Sequence, residues 1–254
     1  MSLHPSGYDF TVLLSFDFDA ESAEVWKKSD PVAISRGRYG VRTGIWRVLE
    51  LLDRYGLRVT FFVPGWVAEQ YPRVVAEIHE RGHEIAGHGY LHERLDELES
   101  SDEEQVFTLM ENKIREAIGV RPLGFRAPYW RFSNRTLNIL ARRGYIYDSS
   151  LMDSDNPYTI NIDGQVIVEL PVDWRLDDWP YLEVSRITPK ELYEMWLEEI
   201  DYAHKRGEYL SLTLHPQCIG RGARIKLLED IIRELLKRRA WIPRAIDMAR
   251  KLYR

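Results

Sequence analysis

Apolar residues fall along this chain in two alternating patterns. A short apolar run, Val12–Phe16, suits a strand buried on both faces, and Leu57–Val63 reads as the next strand. Between them Thr43–Tyr55 carries Ile45, Val48, Leu49 and Leu52 at helical spacing, and Gly56 stops it. The stretch between the first strand and Thr43 reads as irregular. A helix from Pro72 to Arg81 ends at Gly82, and His83–Gly87 is a third strand. Ser101-Asp-Glu-Glu104 has the form of a capping box opening a helix that ends near Gly119. Gly124–Ala127 predicts a short strand, Ser133 caps a helix ending at Gly144, and Tyr145–Asp148 follows as a strand.

The rhythm breaks at Ile160–Val168, where Asp163-Gly164 between β-branched residues signals a hairpin. Val168–Val172 resumes the main series. Thr188-Pro-Lys-Glu191 is a second capping box, with proline at the first helical position, and its helix ends at Gly207. Tyr209–Leu214 is the last strong strand, and Ile225–Leu236 an amphipathic helix. Strands alternating with helices predict an α/β barrel: TIM-like, seven-stranded, closed or nearly so, with a β-hairpin insertion.

Composition narrows the function. A length of 254 residues fits one large α/β domain better than two small ones. The net charge of -5 is modest and unclustered, which argues against a nucleic-acid partner. One cysteine, Cys218, excludes an internal disulfide and reads as a packing residue. No apolar segment is long enough to span a bilayer, so no membrane partner is expected. Met1–Phe10 is polar and lacks a basic stretch followed by an apolar run, so no secretory signal is read and the cytoplasm is the expected location.

The chemistry gathers at strand ends. Asp17 and Asp19 follow the first strand, His88 the third, Arg126 the fourth, Asp173 the sixth and His215 the seventh. In a (β/α) barrel those positions share the C-terminal rim, where such folds build active sites. Asp17 and Asp19 would face one side with Phe18 on the other, and two adjacent carboxylates need a cation between them to ionise together. His88 and His92, four apart, would project from one face of a helical turn and could grip one ion with an aspartate. His215 could deliver a proton near neutrality, and Arg126 could keep Asp17 ionised. Trp130, Trp174 and Trp179 fall in rim loops, where indoles stack on sugar rings or planar heterocycles.

At these residues the chain resembles the polysaccharide deacetylase (NodB-homology) family. SFDFDAE (15–21) is similar to its first motif, HGYLH (88–92) to its histidine motif, FRAPYW (125–130) to its arginine motif, VDWRLDD (172–178) to its fourth and LTLHP (212–216) to its last. The resemblance implies a distorted (β/α) barrel, a single NodB-homology domain over residues 1–254. It also implies a divalent metal, usually zinc, held by Asp19, His88 and His92. Asp17 would take a proton from the attacking water. The backbone N–H near Tyr129 would help hold the oxyanion, and His215 would protonate the departing nitrogen. One acidic residue among Asp173, Asp177 and Asp178, with Asp178 the working choice, would orient His215. Tyr129, Trp130, Trp174 and Leu214 would face the substrate.

The first motif departs from the family's usual TFDDG because Phe18 separates the aspartates. That variant, with the LDDWP segment at 176–180, resembles a branch without signal peptides linked to a bacterial peptidoglycan deacetylase, allantoinases and cyclic-imide hydrolases. The implied reaction is hydrolysis of a non-peptide C–N bond. An N-acetylated saccharide is the leading substrate and a small cyclic amide, imide or ureide the alternative, and the branch implies a homo-oligomer. Two rivals are a non-haem iron oxygenase, against which the strand–helix alternation argues, and a carbohydrate-binding protein that has lost turnover.

Overall fold

Phe10–Asp17 form strand β1, and all eight of its residues are buried, as its largely apolar sequence leads one to expect. The chain is described here from a computed structural model, over residues 3–253. Met1, Ser2 and Arg254, which belong to the expected span and to the N-terminal reading, lie outside the described residues. The other strands are β2 (Thr60–Val63), β3 (Glu84–Gly87), β4 (Gly124–Phe125), β5 (Tyr147–Asp148), β6 (Tyr158–Ile162), β7 (Gln165–Glu169), β8 (Tyr209–Leu214) and β9 (Ala240–Trp241). Seven parallel strands in the order β7-β5-β4-β3-β2-β1-β8 form a curled wall. The short β9 pairs with the start of β1.

The wall does not close by a full ladder. Residues 170–177 cross the gap between β7 and β8, joined to β8 by one bridge, Asp177 to Thr213. Below that bridge, the Tyr209 hydroxyl donates to the Pro171 carbonyl at 3.1 Å. The expected distorted, nearly closed (β/α) barrel is therefore the observed architecture. The hairpin forms at the expected Asp163-Gly164 turn, both residues at positive φ, with β6 antiparallel to β7. It is not separate from the sixth barrel strand: β7 is both the hairpin's second arm and the strand paired with β5, and it ends at Glu169 rather than continuing to Val172.

Among the described residues eleven α-helices accompany the strands: α1 (Ser22–Trp26), α2 (Pro31–Tyr39), α3 (Ile45–Arg54), α4 (Gly65–Gln70), α5 (Pro72–Glu80), α6 (Ser100–Ile118), α7 (Thr136–Arg142), α8 (Pro189–Arg206), α9 (Pro216–Ile219), α10 (Arg224–Lys237) and α11 (Ala245–Leu252). The stretch after β1 is helical rather than irregular. Asp30 caps α2 through the amides of Val32 and Ala33, with Pro31 at the first helical position. A π-helical turn, Gly40–Gly44, joins α2 to α3. Close approach explains two glycines here. A Cβ at Gly37 would sit 2.5 Å from the Ala20 carbonyl oxygen, and one at Gly44 would collide with that of Pro216.

The second capping box, Thr188 with Glu191, forms as expected. The first does not: α6 starts at Ser100 after Glu99, without a side-chain cap. Glu104 instead pairs with Arg142 and Arg143, and the fully buried Glu103 accepts from Ser133 and Thr136 at 2.7 and 2.5 Å. Tertiary partners outbid the local cap because a buried carboxylate must be satisfied.

Inside the wall the side chains separate by height. The lower interior is mainly apolar, with Leu13, Phe62, Tyr147 and Val168 packed against Ala245, Ile246, Met248 and Ala249 of α11 around the buried Glu84. The upper interior, at the strands' C-terminal ends, is polar.

Candidate active site

Asp17 ends β1 and Asp19 lies two residues on. Phe18 between them is buried in the core on the helix side, so both carboxylates point inward. His88 follows β3 directly, and its Nδ1 lies 2.7 Å from the Arg126 carbonyl oxygen. A carbonyl only accepts, so Nδ1 carries the proton and Nε2 keeps its lone pair. His92 does not arrive by a helical turn. Residues 88–94 form no helix; Gly89 and His92 both adopt positive φ, and the Glu93 carboxylate accepts from the amides of Tyr90 and Leu91.

Arg126 has no exposed surface and donates to Asp17 at 2.7 Å and to the Ser149 carbonyl and hydroxyl at 3.1 and 3.0 Å. Its guanidinium lies 3.9 Å from the centroid of the Phe62 ring. Burial pushes the Asp17 carboxyl up, but Arg126, with the charge of His215, outweighs it and holds the group below its ordinary range. For Asp19 burial wins over the His215 charge, and the neighbouring Asp17 charge adds to it, so this carboxyl is raised. Burial also lowers His92, with the His215 charge acting in the same direction.

His215 follows β8. Among the three acidic candidates the geometry selects Asp178, which is fully buried. Its carboxylate meets His215 Nδ1 at 2.7 Å and accepts from the His215 backbone amide at 3.1 Å. Asp177 stands 3.6 Å from Nδ1 and its carboxyl, chiefly through burial, rises to about 7. Burial disfavours the imidazolium, but Asp177 and Asp178 outweigh it and keep His215 charged well above its ordinary range. Asp173 does not join the rim site: it binds Arg175 at 2.6 Å on the far side of the 173–176 turn.

Asp19, His88 and His92 come together as a possible metal site. Asp19 Oδ1 lies 3.5 Å from Nε2 of both His88 and His92, and Asp19 Oδ1 and His88 Nε2 are buried with no hydrogen-bond partner. Ligand atoms about 2.1 Å from one tetrahedral ion stand about 3.4 Å apart. The spacing and the orphaned lone pairs therefore fit a divalent cation. Asp17 stays outside this trio, 3.7 Å from His88 Nε2, and His215 Nε2 lies 3.7 Å from the other Asp19 oxygen.

These groups line a cleft of about 130 Å³ walled by Tyr129, Trp130, Trp174 and Trp179. Leu214, expected to face substrate, does not: it is buried in the outer core among helices, because its neighbours Thr213 and His215 take the inward direction. A larger cavity of about 490 Å³ beside β8 is lined by Asp173, Arg175 and Ser211 but by none of the imidazoles, so size alone does not mark the site. Ala20, His92, Tyr129 and Trp130, all at the cleft, adopt positive φ, a strain that persists only where surrounding structure enforces it.

Sequence reasoning missed Gln217, whose amide donates to Asp19 at 3.3 Å, and the cleft residues Glu24, Lys27 and Arg36. Gln217 was within reach, two positions past His215 on the same rim. Glu24 and Arg36 lie on α1 and α2 and Lys27 directly follows α1; neither segment was expected to be helical.

The family model for polysaccharide deacetylases matches residues 11–147. The chain is 29% identical to a Helicobacter pylori peptidoglycan deacetylase, covering 89% of this chain and 90% of that one. A solved Mycobacterium smegmatis protein assigned to the polysaccharide deacetylases is 35% identical, with a TM-score of 0.90 over 98% of this chain and 92% of that one. The allantoinase PuuE shares the fold at 22% identity, with the same TM-score and coverage. A curled barrel with this motif order defines a hydrolase acting on non-peptide C–N bonds. The chain belongs to the polysaccharide deacetylase family.

Proposed function

We propose that the chain removes the acetyl group from an N-acetylated saccharide, using a divalent metal, zinc, held by Asp19, His88 and His92. The observation that carries this reading is the 3.5 Å convergence of two imidazole nitrogens on one Asp19 oxygen, with an ionised Asp17 beside them. Bound there, the ion would act as a Lewis acid on the amide carbonyl and make water easier to deprotonate. Asp17, kept ionised by Arg126, takes the proton from the attacking water. His215, kept charged by Asp177 and Asp178, gives a proton to the departing nitrogen. Tyr129 contributes its backbone N–H to the developing oxyanion, and with Trp130 and Trp174 it walls the sugar ring.

A second reading, ring opening of a small cyclic amide, imide or ureide, is favoured by the modest volume of the cleft. Acetate release from N-acetyl sugars, run beside ring opening of imides with and without chelator, separates the two. Failure of both would sink the reading, and elemental analysis of the purified protein checks zinc. Residence in the cytoplasm and self-assembly into a homo-oligomer complete the proposal; fractionation and light scattering test them. Among the described residues no helix is long and apolar enough to cross a membrane.

A further inference from the structure

We propose that the substrate carries a carboxylate as well as its scissile amide, and that Lys27 receives that carboxylate. The inference rests on the proposed reaction at the same cleft and deepens it. Lys27 stands at the C-terminal end of α1, the single turn that follows Asp19, and lines the cleft. Its Nζ lies 5.0 Å from the centre of the Tyr129 ring, and that ring in turn packs edge-on against His92 at 4.4 Å. The ammonium thus borders the proposed metal site.

The other cations here, Arg36 in the cleft wall and Arg94 over the Tyr129 ring, are already engaged. Arg36 pairs with Glu183 at 3.3 Å and approaches Glu24 at 3.9 Å, while Arg94 pairs with Glu97 at 3.0 Å. Glu24, three residues before Lys27, also accepts from Ser29 at 2.6 Å. Among the described residues Lys27 has no carboxylate partner. Tyr129 and Trp130 line the same cleft, and Tyr129 Oη and Trp130 Nε1 are buried with no hydrogen-bond partner.

Lys27 and Trp130 can only donate, and Tyr129 can. A wall of unmatched donors, one of them cationic, calls for an anionic acceptor with several lone pairs. A sugar hydroxyl would satisfy the indole but leave the ammonium unpaired. A carboxylate satisfies both and adds a charge-assisted bond.

The test uses two matched ligand pairs: N-acetylglucosamine with its 3-O-lactyl ether, and hydantoin with hydantoin-5-acetic acid. Affinities are measured calorimetrically on the metal-loaded protein at low salt. The carboxylated member of at least one pair should bind about five- to ten-fold tighter, the range of one partly screened ion pair with a hydrogen bond. Lys27→Met should bring the two members to the same affinity, whereas Lys27→Arg should keep most of the difference; thermal melting confirms that both variants fold. Equal affinity within both pairs, no binding by any of the four, or a preference that survives Lys27→Met would overturn the proposal. Hydrolysis is scored separately. A carboxylate preference without turnover sinks the reaction and spares the Lys27 assignment; turnover without a preference does the reverse.

Discussion

The barrel buries carboxylates at both ends, and two of them, Glu84 and Asp19, are treated in opposite ways. At the lower end Glu84 accepts from Thr60 at 2.7 Å, from Tyr147 at 2.9 Å and from the Ile246 amide at 2.9 Å, where α11 begins. At the upper end Asp19 accepts one long bond from Gln217, and its Oδ1 faces two imidazole nitrogens with no proton donor. Burial raises both carboxyls. Glu84 is answered by neutral donors that fix a helix, and Asp19 is left for a cation. Burial alone therefore does not mark function; an incomplete set of partners does.

Five substitutions test that contrast. Replacing an upper-end group should abolish chemistry and spare the fold. His88→Gln should lose bound metal, and Asp17→Asn should lower kcat/KM on the order of 10³-fold, each with little change in the melting temperature of the metal-free protein. Near-native activity in either variant would remove the upper site from the mechanism. Asp178→Asn should be milder, lowering kcat on the order of 10²-fold with metal content unchanged, because it acts by orienting His215. Loss of metal in that variant would mean Asp178 serves the other cluster instead.

At the lower end the sign reverses. Glu84→Ala leaves the Thr60 and Tyr147 hydroxyls and the amide at the start of α11 without an acceptor, so it should destabilise by about 3 kcal/mol. Activity per folded molecule should stay within about two-fold, as expected of a group that supports packing rather than chemistry. A large loss of activity at full stability would dissolve the distinction between the ends.

The smallest effect concerns pH. His83, just before β3, accepts from the Val59 amide through Nδ1, and burial lowers its pKa to about 4. The unfolded chain takes up this proton near pH 6.5 and the folded chain only near 4. Stability from this group is therefore present above about 6.5 and lost as pH falls toward 4, by roughly 2 kcal/mol. His83→Asn keeps an acceptor for Val59 and should flatten urea-denaturation stability across that window. An unchanged slope would show that His83 does not titrate in this way.

Strand and helix order was legible along most of the chain, because burial on both faces writes apolar runs such as Val12–Phe16 and helices write the spacing of Ile45, Val48 and Leu52. Local signals failed where distant partners decided the outcome. Glu103 and Glu104 are taken by residues about 30 to 40 positions away, and the first capping box does not form.

The sequence by itself determined the rim cluster, since residues ending successive parallel strands must share one edge of the barrel. It could not choose among Asp173, Asp177 and Asp178, nor see that Leu214 faces outward, because a turn and a half-step of strand register set those directions. Only the tertiary structure brought Lys27, Tyr129 and His92 around one cleft. Their spacing depends on residues held at positive φ, on α2 packing against Ala20–Glu21 and on the π turn packing against Pro216–Gln217, energies that belong to contacts across the fold and leave no periodic trace in the chain.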